Sequence, residues 1–411
     1  MDRPRAAARE QPLEHRILLT ATLCLLAAGA VMVYSASSAR TLLEGQGDGT
    51  AYLVKYLIYG ALGFVVMQVV ARMDLRVIRN VTPALLGVSF VLVVLVKVPG
   101  FGVEVNGATR WIGAGPLQFQ PSELMKVALV LYAVRLLTDK PSMVRTVKGI
   151  LSPLLYVTGA AVLLIASQPD LGTALVIIFT ITALLVAAGM PIRFLLRGAL
   201  ILAALVLLFA IVEPYRRDRL VSFMDPWAHA QSIGFQSVQG QIAIGSGGVM
   251  GRGLGESVQK IFFLPEAHTD FILAVIGEEL GVIGVWALLF LYGLIAYGGL
   301  RAAKAARTSY AKLLACGVTA LIMAQALLNT FTVLGLAPLT GVPLPFISSG
   351  SSSLMVLLAG MGLLLNVASG RATPVRAVGG DSRSNDEGPD RGRRDGRPRG
   401  ARPGGRRRVA S

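Results

Sequence analysis

Residues 264–280, which read LPEAHTDFILAVIGEEL, carry the side chains best suited to chemistry. This stretch sets five titratable groups at the front of a long apolar run: Glu266, His268, Asp270, Glu278 and Glu279. Charge inside a membrane is costly, so such groups usually mark a functional site or an ion pair. A carboxylate such as Asp270 could act as a general base toward a hydroxyl nucleophile. Adjacent Glu278 and Glu279 point to different helix faces, so at least one should face a polar cavity or a cation.

Each of these groups also has a structural interpretation. Asp270 begins a predicted helix, where the helix dipole stabilises a carboxylate, so N-capping would explain its type. His268 could be an interface residue bonded to the backbone, and Glu266 a solvated loop charge. Capping by Asp270 leaves the surrounding His268 and glutamates unexplained, which favours a functional cavity.

The composition is that of a membrane protein. Of 411 residues, 54% are hydrophobic and 15% charged, with a mean hydropathy of +0.64; about a quarter is charged in soluble proteins. Three histidines and two cysteines are too few to indicate a zinc cluster or a disulfide framework. Cys24 and Cys316 lie in apolar runs and are interpreted as packing residues.

A bilayer-spanning helix needs about 20 mainly apolar residues. Ten such runs occur, at 17–37, 53–71, 82–98, 122–138, 150–168, 171–190, 194–212, 271–300, 311–334 and 352–368. The first run is longer than the apolar region of a signal peptide, so we interpret it as a retained helix. The sequence therefore predicts an all-α polytopic membrane protein with ten transmembrane helices.

The distribution of basic residues predicts the orientation. Loops on the side of the two termini hold 16 Lys and Arg, whereas the opposite loops hold seven, or nine with Lys55 and Lys97. Because positive charge marks the cytoplasmic side, both termini are predicted to be cytoplasmic. Residues 213–270 then form the one large extracytoplasmic loop, between helices 7 and 8.

Three regions follow from this pattern: an N-terminal cytoplasmic tail (1–16), a membrane domain (17–370) and a basic C-terminal tail (371–411). The last contains 12 Arg against five Asp or Glu, with few large apolar residues. It is predicted to be disordered, and beside a membrane it favours an orientation signal or contact with anionic lipid. Nucleic acid is not the expected partner.

Further charged residues fall on the predicted outer side, near Asp270. Arg110 lies in a loop, and Glu123 and Lys126 are three residues apart, so they share a helix face and can pair. A structural ion pair and a functional site are both open for them. Asp170, in the turn between helices 5 and 6, is expected mainly to cap helix 6.

The large loop adds several cations: Arg216, Arg217, Arg219, Arg252 and Lys260. It also contains the glycine-rich string IGSGGVMGRGLGES at 244–257. Glycines would allow close approach of a ligand to the backbone, but the spacing does not match a phosphate-binding Walker loop. By itself the string predicts a flexible loop, and no nucleotide-binding signature supports ATP-driven transport.

At these residues the chain resembles the shape, elongation, division and sporulation family of membrane proteins (FtsW/RodA/SpoVE). The motifs are RWI (110–112), QPSELMK (120–126), QPDLGT (168–173), LPEAHTDFILAVIGEELG (264–281) and NTFTVLGLAPLTGVPLPFISSGSSS (329–353). They span nearly all of the membrane portion, about 17–370. In the last motif Ser351 replaces a glycine usual in the family. The string GLGESVQK at 253–260 is more similar to the division member than to the elongation member.

The resemblance implies a ten-helix bundle that polymerises lipid II into peptidoglycan strands at the outer face of the cell membrane, beside a class B penicillin-binding transpeptidase and other division proteins. It implies that Asp270 is essential, that Glu123 and Lys126 line the same cavity, and that Ser349 and Gly350 contribute to it. Asp270 would be the base. The expected substrate-binding residues are Glu123, Lys126, Arg110, His268, Lys260 and Arg216, with Asp170 and Glu278 in the cavity wall.

The donor would be a glycan on a polyprenyl pyrophosphate, and the departing pyrophosphate needs cations. Those basic residues, or a divalent cation such as Mg²⁺ or Mn²⁺, could supply them; the sequence itself requires no cofactor. Two other interpretations stay open: a flippase for lipid II and an elongation-type polymerase. A flippase should show polar residues reachable from both sides, whereas the inner halves of the spans are nearly free of buried charge, which favours an enzyme.

Overall fold

The computed structural model describes residues 12–43, 49–105, 108–114, 117–145, 153–198, 222–265 and 267–370. The main helices are α1 (Leu13–Leu43), α2 (Ala51–Arg72), α3 (Leu75–Leu95), α4 (Pro121–Asp139), α5 (Leu154–Ala166), α6 (Leu171–Ala187), α7 (Phe235–Gly247), α8 (Ile272–Ala305), α9 (Ser309–Val333) and α10 (Ser351–Ala368). Two shorter helical segments are Pro141–Arg145 and Gln259–Phe262. Among the described residues, six helices are long and apolar enough to cross a membrane: α1, α2, α3, α8, α9 and α10. The apolar helices α5 and α6 are shorter.

These helices overlap nine of the ten predicted apolar runs. The seventh run, 194–212, extends beyond the described residues after 198. Helix α7 lies within the predicted large loop, and the C-terminal tail from 371 lies outside the described residues. The interior is formed by α4, α9 and α10. In their most apolar stretches, 67% of the residues of α9 and 83% of those of α10 are buried, against 17% for α2.

The chain between α3 and α4 departs from the all-α prediction. It forms a three-stranded antiparallel sheet of β1 (Gly102–Val105), β2 (Ala108–Ala114) and β3 (Leu117–Phe119), with β2 in the centre. The prediction of an uninterrupted all-α protein was therefore wrong for this loop. Strands this short contain too few residues to show the alternation of apolar and polar side chains by which a strand is recognised in a sequence.

Local sequence explains why the helices near the site begin where they do. Pro121 occupies the first turn of α4, where its missing N–H costs nothing. Asp170 is the N-cap of α6 and accepts a hydrogen bond from the Thr173 N–H (3.1 Å), as the sequence predicted. Thr308 caps α9 in the same way.

Helix α8 is interrupted at Gly281, which has φ +66° and ψ −163°. A predicted continuous span over 271–300 is wrong in this respect. The backbone after α7 fills the gap: the Arg252 N–H donates to the Glu278 carbonyl (3.0 Å) and the Val282 N–H donates to the Gly248 carbonyl (3.0 Å). Backbone groups freed by the break are thereby satisfied within the protein, as membrane depth requires.

The glycine-rich string 244–257 ends α7 and then packs on α8 through these bonds, so we call it the docked segment. Its glycines permit close contact with α8. A Cβ on Gly247 would lie 1.9 Å from the Gly277 carbonyl oxygen, and one on Gly251 would lie 2.1 Å from that of Glu279. The absence of side chains here serves helix packing.

Candidate active site

Asp270 lies just before α8 and is partly buried. The Thr269 hydroxyl donates to its Oδ1 (2.7 Å). The N-cap position of α8 belongs to the next residue, Phe271. Gly341 lies close to the carboxylate, since a Cβ there would be 3.6 Å from Asp270 Oδ2; its φ of +66° favours glycine.

The main chain around Asp270 is fixed by three consecutive hydrogen bonds. The His268 carbonyl accepts from the Ser349 N–H (3.1 Å) and the Thr269 carbonyl from the Ser348 hydroxyl (2.5 Å). The Asp270 carbonyl accepts from Asn329 Nδ2 (2.7 Å). Residues 268–270 are thus held by the end of α9 and by the segment that precedes α10.

The first part of that segment, residues 342–346, is non-helical and mostly buried, yet each of its five carbonyls has a partner. The side-chain donors are Asn329 to Val342 (2.8 Å), Gln325 to Pro343 (2.9 Å), Tyr292 to Pro345 (2.6 Å) and Tyr56 to Phe346 (2.5 Å). The Leu344 carbonyl accepts from backbone N–H groups. Irregular backbone inside a membrane domain is stable only with such compensation.

Glu123 and Lys126 form the ion pair that their spacing predicted. Lys126 Nζ lies 2.9 Å from Glu123 Oε1, and it also donates to Gln325 Oε1 (2.7 Å). Both charged residues are at most 2% exposed. Two of the three N–H bonds of Lys126 thus have partners, and Glu123 Oε2 has none among the described residues. The pair therefore keeps hydrogen-bonding capacity for a ligand.

Arg110 and Asp170 meet at the turn before α6. Arg110 donates from Nε to the Gln168 carbonyl (3.0 Å) and from Nη2 to the Pro169 carbonyl (2.5 Å). Asp170 Oδ2 accepts from Gln120 Nε2 (3.1 Å) and from the Ser122 hydroxyl (3.3 Å), which ties the turn to the start of α4. Because guanidinium has five N–H bonds, the half-buried Arg110 retains donors beyond these two with respect to the described residues.

Glu278 and Glu279 belong to a second cluster, the loop anchor, which holds the docked segment against α8. The anchor comprises Ser35, Arg252, Ser257, Lys260, Glu278 and Glu279. Glu278 accepts from the Ser257 hydroxyl (2.5 Å), the Val258 N–H (3.1 Å) and Arg252 Nη1 (3.4 Å). The prediction that at least one of the two glutamates faces a cation is confirmed.

Lys260 is the central cation of the loop anchor and is 3% exposed. Its Nζ donates to Glu279 Oε1 (2.6 Å), the Gly255 carbonyl (2.8 Å) and the Ser35 hydroxyl (3.1 Å). An ammonium group has three N–H bonds, so this arrangement leaves none for a pyrophosphate. The contacts favour an anchoring role over the predicted substrate binding.

The other predicted site residues are placed as follows. The His268 ring packs against the Tyr52 ring in a tilted arrangement, with ring centroids 4.2 Å apart and an interplanar angle of 54°. Ser349 bonds the His268 carbonyl, and Gly350 is the N-cap residue of α10. Arg216 and Glu266 lie outside the described residues. In the part of the chain that is described, no group of three or more His, Cys, Asp or Glu could hold a metal ion.

The sequence analysis assigned no site role to Gln325 or to Asn329, the first residue of the motif 329–353, yet the two connect the parts of the site. They are polar, at most 1% exposed, and lie four residues apart inside an apolar helix. Polar residues within a predicted span are themselves a signal of function or helix packing. An amide within an apolar run, and not only a charge, therefore indicates a candidate site residue here.

The fold and the buried polar groups define a multi-pass helical membrane protein with an internal polar site at one end of the bundle. The family described as Cell cycle protein, covering FtsW, RodA and SpoVE, matches residues 16–373. This chain belongs to that family.

Individual relatives agree with this assignment. The chain is 40% identical to a probable peptidoglycan glycosyltransferase FtsW of Geobacter sulfurreducens, over 86% of this chain and 94% of that protein. It is 38% identical to the stage V sporulation protein E of Bacillus subtilis, over 86% and 96%. Among solved structures, a chain of a peptidoglycan synthase complex that coordinates polymerization and crosslinking is similar at 32% identity. The TM-score is 0.72, with 85% of this chain and 96% of that chain covered.

Proposed function

We propose that this protein is a peptidoglycan glycosyltransferase that polymerises lipid II during cell division. The observation that carries the proposal is Asp270, a carboxylate whose flanking main chain is fixed by three hydrogen bonds from the α9–α10 region. The relatives named as probable FtsW glycosyltransferases support the activity and the division role.

The site suits a single displacement. The 4-hydroxyl of the acceptor sugar is a poor nucleophile until a positioned base accepts its proton, and Asp270 is assigned that role. The new bond forms between this oxygen and the anomeric carbon of the donor, while the bond from that carbon to the pyrophosphate oxygen breaks. Attack from the opposite face inverts the anomeric centre, and the lipid pyrophosphate departs with the electron pair.

Cations must stabilise the departing pyrophosphate. Arg110 is best suited, because it is half-buried and keeps unused N–H donors. Lys126 is assigned a second contact through its remaining N–H. Its 2% exposure means that the cavity must open slightly for this contact to form. Lys260 is assigned to the loop anchor.

The proposed arrangement has ten transmembrane helices, cytoplasmic termini and residues 213–270 on the outer side, in the plasma membrane at the septum. The polar site then opens toward the cell wall, where lipid II is consumed, and sideways to the lipid that carries both substrates. The similarity to a chain of a peptidoglycan synthase complex supports a class B penicillin-binding transpeptidase as partner.

The test is polymerisation of lipid II by the full-length chain in proteoliposomes, with and without that transpeptidase. Asp270→Asn keeps the size of the side chain but removes the base, so we expect at least about a 100-fold lower rate, the scale of general base catalysis. Asp225→Asn, at an exposed aspartate that accepts from the Ala228 N–H, is the control and should keep the wild-type rate.

Two outcomes would contradict the proposal. A wild-type rate in Asp270→Asn would remove Asp270 as the base. Absence of polymer from the wild-type protein, even with the transpeptidase present, would remove the activity. In that case translocation of lipid II across vesicles would be measured for the flippase alternative.

A further inference from the structure

The side chain of Asn329 joins the main chain at Asp270 to the buried segment before α10. Asn329 lies on α9 and is 1% exposed. Its Nδ2 donates to the Asp270 carbonyl (2.7 Å) and to the Val342 carbonyl (2.8 Å). The amide orientation is fixed, since a flipped amide would direct Oδ1 at two carbonyl oxygens.

Gln325 extends this connection toward the ion pair. It precedes Asn329 by four residues, so both side chains lie on one face of α9. Gln325 Nε2 donates to the Pro343 carbonyl (2.9 Å), and its Oε1 accepts from Lys126 Nζ (2.7 Å). One face of α9 therefore touches Lys126, the buried segment and the main chain of Asp270.

A purely structural interpretation covers part of this arrangement. The carbonyls of the non-helical segment need donors at this depth, and two amides on α9 provide them. It does not explain why one amide also takes the carbonyl of Asp270, which belongs to a different part of the chain. Asn329 sets the separation of these two segments.

We propose that Asn329 is a positioning residue for the reaction: by clamping the Asp270 and Val342 carbonyls to α9, it holds the Asp270 carboxylate in line with the acceptor hydroxyl. Asn329 itself touches neither substrate nor the transferred proton. The inference rests on the proposed function of Asp270 as the base. Asn329 lies outside the motif 264–281, which contains Asp270.

The test variant is Asn329→Ala in the full-length chain with its transpeptidase partner. Removal of both N–H donors lets the main chain at Asp270 shift, and a misplacement of about 1 Å can cost on the order of 100-fold in rate. We expect kcat to fall by about 10- to 100-fold while KM for lipid II stays within about three-fold, because the lost interaction acts on the transition state.

The chain offers a matched control in Asn366 on α10. It is 3% exposed, and its Nδ2 also donates to two main-chain carbonyls, of Val70 (3.0 Å) and Met73 (2.6 Å). Asn366→Ala removes the same bonds and the same volume elsewhere in the bundle. We expect it to lower the melting temperature about as much as Asn329→Ala does, with kcat per folded molecule unchanged.

A conservative variant keeps the test decisive if Asn329→Ala does not fold. The hydroxyl of Asn329→Ser can keep one of the two bonds, so its kcat should lie between those of wild type and alanine. A folded Asn329 variant with the wild-type kcat, or an equal loss of kcat in Asn366→Ala, would overturn the positioning role. The wild-type assay separates this failure from failure of the proposed function. If the wild-type protein makes no polymer, both proposals are overturned; if it does, only the positioning role is at stake.

Discussion

Two lysines are buried in the part of the chain that the structure describes, Lys126 and Lys260, and they differ in what they can still bind. Each is at most 3% exposed and paired with a carboxylate. Lys126 has acceptors for two of its N–H bonds, whereas Lys260 has acceptors for all three. Burial alone therefore does not distinguish the roles proposed for these two lysines; the difference lies in how many N–H bonds already have an acceptor among the described residues.

The first prediction concerns the loop anchor. Lys260→Met leaves the Glu279 carboxylate buried without its cation, so we expect a loss of about 3–5 kcal/mol in the free energy of unfolding. In the double variant Lys260→Met/Glu279→Gln no charge is left unpaired, and most of the loss should be recovered. Thermal or denaturant unfolding in detergent micelles measures both changes.

Activity of the double variant separates the two roles of Lys260. If Lys260 only anchors the loop, polymerisation should return together with stability. A double variant that is as stable as wild type but makes no polymer would contradict the anchoring role. It would also restore the substrate contact that the sequence predicted.

Of the two buried lysine–glutamate ion pairs in the described residues, sequence spacing could predict one and not the other. Glu123 and Lys126 are three residues apart on one helix, so their contact follows from helix geometry. Lys260 and Glu279 meet only because the segment after α7 folds back onto α8. Contacts set by such a long-range arrangement have no local pattern in the sequence.

At the scale of elements, the break in α8 is the feature that hydropathy could not detect. The run 271–300 is apolar on both sides of Glu278 and Glu279, so hydropathy averaged over about 20 residues still predicts one continuous span. The break is needed because it lets the docked segment bond to both halves of the helix. It also divides a buried first part from a second part with exposed apolar residues, such as Trp286 (67%) and Phe290 (65%).

The second prediction tests this break with Gly281→Ala. A Cβ at Gly281 would lie 2.4 Å from the Gly251 nitrogen, and alanine disfavours φ +66°. Such backbone strain costs on the order of 1–3 kcal/mol, so the docked segment should loosen. Hydrogen exchange of the Arg252 and Val282 amides, which bridge the break, should become faster.

Gly293→Ala is the control on the same helix. A Cβ at Gly293 meets nothing within 4 Å, and alanine is the better helix former by about 1 kcal/mol. Exchange at the two bridging amides should stay at the wild-type rate. Equal exchange in Gly281→Ala and wild type would show that the docked segment does not depend on the glycine.

At the scale of the whole molecule, the sequence predicted the class of fold well, because burial in lipid demands long apolar runs. The clustering of Arg110, Glu123, Asp170 and Asp270 at one end also followed from the assigned topology, since alternate loops share a side. The sheet before α4 and the clamp formed by α9 could not be predicted in this way. They depend on hydrogen bonds between segments far apart in the chain.

The third prediction concerns topology, and the seventh span decides it. The helices before and after residues 194–212 are described. If residues 194–212 cross the membrane, residues 222–265 lie on the opposite side from the loop after α4; if they do not cross, both lie on the same side. Single cysteines at Ser142, Ala228 and Ser382, in a background with Cys24→Ala and Cys316→Ala, report these sides. Ser142 and Ala228 are exposed, and Ser382 lies in the C-terminal tail.

A membrane-impermeant maleimide should label Ala228→Cys in intact spheroplasts, and Ser142→Cys and Ser382→Cys only after permeabilisation. We expect this labelling pattern because Lys and Arg on the predicted inner loops resist translocation across the membrane. If Ala228→Cys were also protected, residues 194–212 would not cross. The number of spans would then be odd, which puts the C-terminal tail outside and Asp270 on the cytoplasmic side. A site on that side could not face the growing wall, so the labelling of Ala228→Cys bears directly on where the proposed chemistry can take place.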